Sequence, residues 1–249
     1  MSIQVFYSNP ELIKSDAHLS RVARNLDKYF TVAKHMLSRV GLGRVLYNLK
    51  VEAVPKASSY LSSNVIAQYD DYKDTIRIFL QALDRNKNIA PHAIVHECGH
   101  RYWNKFLTPG KKKIWQDKYI KVSPRAIAFI NKAAWAKKYR NYHEFVSQFN
   151  DNYTRLVALH LSNALMANKQ PIELLNRVDF KYHPATKDFA SGNRAFSLTP
   201  LISMYASKDV YEDFAETFRA YVESGGSLRD VKDPNGRRML LYIFLQVIR

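Results

Sequence analysis

The chain has 249 residues, with 38 Lys and Arg against 22 Asp and Glu, a formal net charge of +16, and 47% hydrophobic side chains. That balance supports a packed core and excludes a disordered or low-complexity chain. One cysteine excludes an internal disulfide, and no run approaches the roughly 18 consecutive apolar residues of a membrane span, so the expectation is a soluble chain.

Residues 17–40 repeat apolar side chains at helical spacing, from Leu19, Val22 and Leu26 to Leu37 and Val40, and predict one amphipathic helix stopped by Gly41 and Gly43. In the next segment Val45, Tyr47, Leu49, Val51 and Ala53 alternate with polar residues, which predicts a half-buried strand ended by Pro55. Two further alternating runs, Val65 to Tyr69 and Thr75 to Leu80, flank a polar turn and predict a hairpin. Pro91 suits the first turn of a helix running to Phe106, because its missing N–H has no intrahelical partner there. Helical patterns fill Pro124 to about Lys169 and recur near 171–178, whereas 179–200 reads as a long loop. Two more helices follow, at about 208–223 and 234–248, separated by Gly225 and Gly226. With no internal repeat or linker, the expectation is a single domain over 1–249, with a basic, mainly helical insertion over 107–200.

The chemistry is concentrated in His96-Glu97-Cys98-Gly99-His100, an HExxH motif on the predicted helix. Histidines four apart share one helical face, so both imidazoles can bind one zinc ion and Glu97 can reach a water beside it. Cys98 lies about 200° around the helix from His96 and is expected in the core. Gly99 costs about 1 kcal/mol relative to Ala in a helix interior, which suits either a close backbone approach or ordinary packing. A catalytic zinc needs a third protein ligand. Phe106, six residues after His100, has no ligating atom, so the ligand is expected in Tyr211 to Arg219, where Glu212 and Glu216 share one helical face. His92 lies one turn before His96 and is a candidate cleft-lining residue. The other histidines have no spacing partner and are expected to be structural.

This pattern, HExGH followed by Tyr205, six intervening residues and then E-x-F-A-E-x-F-R over Glu212 to Arg219, resembles the gluzincin metallopeptidases. It is most similar to the lethal-factor-like group and to related uncharacterised zinc peptidases of phages and bacteria. The resemblance implies an α+β, zincin-like metallopeptidase fold: a small twisted sheet with an edge hairpin, an active-site helix and a mainly helical C-terminal half. It implies one Zn2+ per chain held by His96, His100 and Glu212, with Glu97 as general base, Tyr205 as donor to the oxyanion and Glu216 accepting from a ligating imidazole. The implied activity is zinc-dependent endopeptidase action on a protein or peptide; the opening residues show no basic stretch followed by an apolar one, so no signal peptide is expected, and the expected compartment is cytoplasmic or phage- and virion-associated. The gap between His100 and Glu212 is longer than is usual in that group, and it holds most of the basic excess.

Residues 96–190 carry 17 basic and 7 acidic side chains. Lys111 to Lys113, Lys137, Lys138 and Arg140, interleaved with Trp115, Tyr119, Trp135, Tyr139 and Tyr142, fit a nucleic-acid surface, a solvated helical face, or a selector for an acidic protein substrate. The solvated face is favoured, since no nucleic-acid-binding signature accompanies the charge. The alternative to a peptidase is a nucleic-acid-associated or virion structural protein whose zinc site is mainly structural.

Overall fold

The computed structural model describes residues 3–56, 65–122, 194–197, 202–203, 205–207, 209–229, 231 and 234–249. The chain divides into two compact units, Met1–Thr108 with Phe214–Asp230, and Pro109–Asp213 with Val231–Arg249. It is a mixed α+β structure with one small four-stranded sheet and a mostly helical remainder. Among the described residues no helix is long and apolar enough to cross a membrane.

In the first unit, β1 (Gln4–Tyr7), β2 (Lys50–Val54), β3 (Ala67–Asp70) and β4 (Thr75–Phe79) form a sheet in the order β1-β2-β4-β3. The β1–β2 and β2–β4 pairs are parallel. The predicted hairpin is β3–β4, antiparallel with Tyr69 opposite Ile76, so β3 is an edge strand running against its neighbours. Its turn is closed by the Asp70 carboxylate, which accepts the Lys73 N–H at 3.1 Å, and by Asp74, whose φ of 49° lies in the left-handed region. Aspartate tolerates that region better than most residues.

Helices α1 (Pro10–Ser15), α2 (Ala17–Arg24) and α3 (Leu26–Arg39) precede β2, α4 (Leu80–Arg85) follows β4, and the motif helix is α5 (Ala90–Phe106). Pro91 sits in the first turn of α5. From Ile94 to Trp103 every residue of α5 is buried. A helix buried all round belongs to the interior, and α5 packs against α3 and β3 there. Leu26, Phe30, Ala33 and Leu37 of α3 make the stripe that faces this core.

Three local expectations are corrected. The helix over 17–40 is two helices broken at Asn25: its N–H bonds Val22 O, three residues back, and its side-chain amide takes the Arg21 carbonyl at 2.9 Å. Side-chain competition for backbone acceptors ends the first helix. The strand expected from Val45 begins only at Lys50. Val45 and Leu46 lie instead in a 3-10 turn, Gly43–Leu46, and are both fully buried, and Asn48 adopts a φ of 54°. The loop expected over 179–200 contains a strand, β6 (Arg194–Ser197), antiparallel to β5 (Tyr119–Val122). Its partner is distant in sequence, so no local turn signal reveals it.

The second unit holds α6 (Pro109–Gln116), the β5–β6 pair and α8 (Pro234–Ile248). Trp115 of α6 meets Phe244 of α8 edge-on, with ring centroids 5.9 Å apart. Helix α7 (Val210–Glu223) begins in this unit and continues into the first. Helices α7 and α8 lie where the sequence predicts them; the helices expected over 124–169 and 171–178 lie outside the described residues.

Candidate metal centre

The centre is built on α5 and α7. His96 and His100 project from one face of α5, with ring centroids 4.8 Å apart and planes at 84°. Glu212 stands in the first turn of α7, a turn nucleated by Asp209, whose carboxylate accepts the Glu212 N–H at 2.8 Å. All three side chains are buried, and one ligand atom from each lies within 4.8 Å of the others. Two imidazoles and a carboxylate in that compass form a donor set suited to a divalent transition metal such as zinc.

The crossing of the two helices explains how the donors meet. A Cβ at Gly99 would lie 2.9 Å from Ala215 Cα and 3.2 Å from both the Ala215 carbonyl oxygen and Phe218 Cβ. The glycine therefore marks a close backbone approach. His96 and His100 stand three residues before and one after Gly99; Glu212 and Glu216 stand at the same offsets from Ala215. Each helix brings both polar residues to the crossing, while Phe214 and Phe218 pack on Tyr102 and fill the adjacent core.

His96 Nδ1 and Glu216 Oε1 are 2.9 Å apart. An ionised carboxylate only accepts, so Nδ1 carries the hydrogen, and a neutral ring then keeps its lone pair on Nε2. Glu216 also accepts from Arg219 at 3.0 Å. Glu97 is buried, and its Oε2 accepts the Tyr69 backbone N–H at 2.8 Å, joining the motif helix to the edge strand. His92 is engaged by Glu223, at 2.8 Å from Nδ1 to Oε1. Tyr205 stands on a short 3-10 turn, Tyr205–Ser207, and is half exposed. Cys98 is fully buried on the other side of α5, and burial pushes its thiol up to about 12.

Other residues that hold this centre carry no motif. Arg101, almost fully buried, reaches both oxygens of Asp74 at 2.8 and 2.9 Å and donates to the carbonyls of Val45 and Tyr47. Asp74 also accepts the Tyr69 hydroxyl at 2.9 Å. The Arg101 guanidinium holds the Asp74 carboxyl below its ordinary value, whereas burial and then the Asp74 hydrogen bond push the Tyr69 hydroxyl up. This cluster fastens the β3–β4 hairpin to the helix that bears the histidines. Within the second unit Lys118 pairs with Asp213, the neighbour of Glu212; both side chains are fully buried, and the ammonium sits 3.8 Å from the Trp115 ring centre. Burial lowers the Lys118 pKa. The signal that could have found Arg219 is its place three residues after Glu216 on one helix. Arg101 and Lys118 have no such signal, because their partners lie far along the chain.

Comparison with protein-family models, with curated proteins and with solved structures finds no match for this chain.

Proposed function

We propose that the protein is a zinc-dependent endopeptidase, with a metal bound by His96, His100 and Glu212. The observation that carries this reading is the convergence of those three buried side chains beside a glutamate, Glu97, that lies between the two histidines in sequence.

Zinc at this site supplies Lewis acidity toward the scissile carbonyl and a lowered pKa for water. The protein's own groups do the rest. Glu97 takes the proton of the attacking water and delivers it to the leaving amine. One of its oxygens accepts the Tyr69 N–H, which ties the carboxylate to the edge strand. Tyr205 donates to the oxyanion formed from the carbonyl, and Glu216 holds the His96 ring in the tautomer that leaves Nε2 free to ligate. The basic character of the chain favours acidic peptide substrates.

Glu97→Gln keeps the shape and the amide contact but removes the base. The expected result is about one zinc per chain in both proteins, with cleavage of a diverse peptide library lowered at least about 10²-fold in the variant. A variant that cleaves at the parent rate refutes the mechanism, and a parent that binds zinc without cleaving any peptide points to a structural metal.

A further inference from the structure

Helices α5 and α7 are joined by a ladder of polar contacts that continues past Glu216. His96 Nδ1 meets Glu216 Oε1 at 2.9 Å, Glu216 Oε2 meets an Arg219 terminal nitrogen at 3.0 Å, Arg219 Nε lies 3.8 Å from Glu223 Oε1, and that same oxygen meets His92 Nδ1 at 2.8 Å. Arg39 adds a clamp from α3, donating to the Val222 and Glu223 carbonyls at 3.4 and 3.2 Å. The ladder runs from buried side chains at His96 and Glu216 to half-buried ones at Arg219 and His92.

The chemistry of the carboxylate gives these contacts a purpose. The terminal torsion of a glutamate is broad, so a single hydrogen bond to His96 leaves the plane of the Glu216 carboxylate loosely defined. A guanidinium on the second oxygen fixes that plane, and with it the direction of the bond that aims the imidazole. Arg219 is itself held by charge, since the Glu223 carboxylate lies within ion-pair distance of its guanidinium and His92 engages Glu223.

We propose that Arg219 is a positioning residue of the metal centre: it acts only through Glu216, holding the carboxylate plane that orients His96 toward the cation, and is itself held by Glu223 and His92. The inference rests on the metal-binding part of the function proposed above and is independent of whether the bound metal cleaves peptides.

The test is a double-mutant cycle on full-length protein, with the zinc dissociation constant measured by competition with a chromophoric chelator and the thermal midpoint measured on the metal-free forms. Arg219→Gln is expected to weaken zinc about tenfold in the parent background, the lower end of the range for outer partners of a ligand, and less than about twofold in Glu216→Gln, where the glutamine has no charged oxygen for the guanidinium to hold. Glu223→Gln is the second probe, expected to weaken zinc in the same direction and to lose its effect in the same background. Zinc affinity unchanged by Arg219→Gln, or weakened equally in both backgrounds, overturns the positioning role. A parent that binds no zinc overturns this inference and the proposed function together, whereas zinc binding without peptidase activity refutes only the enzyme.

Discussion

Asp74 occupies a left-handed position at the end of the hairpin turn and accepts from Nε and Nη2 of a nearly buried arginine. Asparagine adopts that backbone region as readily, so Asp74→Asn removes the charge with little added strain. The variant is expected to lose about 2 kcal/mol at neutral pH, because Arg101 keeps its burial and loses its counter-ion. The sign with pH follows from the lowered pKa of Asp74. A carboxyl whose folded pKa lies below its unfolded one contributes fully above the ordinary aspartate value, and that contribution is lost as pH falls through the folded value. Urea titrations of the two proteins should therefore differ most at neutral pH and converge in acid; a gap that persists undiminished in acid would show that the effect is packing and not charge.

The element that decides the centre is the α5–α7 crossing. Four polar residues at matching offsets from Gly99 and Ala215 meet because the helices touch backbone to backbone there. A methyl at residue 99 gains helix propensity of about 1 kcal/mol and loses more, since the contact at 2.9 Å is with backbone that cannot rotate away. Gly99→Ala is expected to destabilise the protein by about 1–3 kcal/mol and to weaken metal binding at the same time, through separation of the two helices. Thermal unfolding and zinc competition on one sample check both parts. A variant more stable than the parent would mean that the glycine is only tolerated. The same reasoning covers the break at Asn25, where one side-chain amide satisfies a backbone carbonyl and turns one amphipathic stretch into two helices.

At the scale of the whole molecule, a metal bound as proposed would link segments far apart in the chain, because His96 and His100 precede the basic segment and Glu212 follows it. A ligand that binds only the folded state stabilises it in proportion to the logarithm of its concentration over its dissociation constant, about 2.7 kcal/mol at a hundredfold excess. Removing zinc with a chelator is therefore expected to lower the thermal midpoint of the parent by several degrees, and to leave that of His100→Ala where it was. Equal shifts in both proteins would place the chelator's effect elsewhere.

The sequence by itself determined the pieces whose cause is local. Period-two runs around a polar turn became the β3–β4 hairpin, Pro91 opened the motif helix, and the offset of Cys98 from the histidines put its thiol in the core. It also singled out His96, His100, Glu212 and Glu216 by spacing and resemblance. Only the tertiary structure decided which carboxylate faces which imidazole, because Glu212 and Glu216 share one face of α7 and differ only in where that helix crosses α5. It alone paired β5 with β6 and joined Arg101 to Asp74. Those partners are chosen by long-range packing, and side-chain spacing along a single element carries no record of what that element will meet.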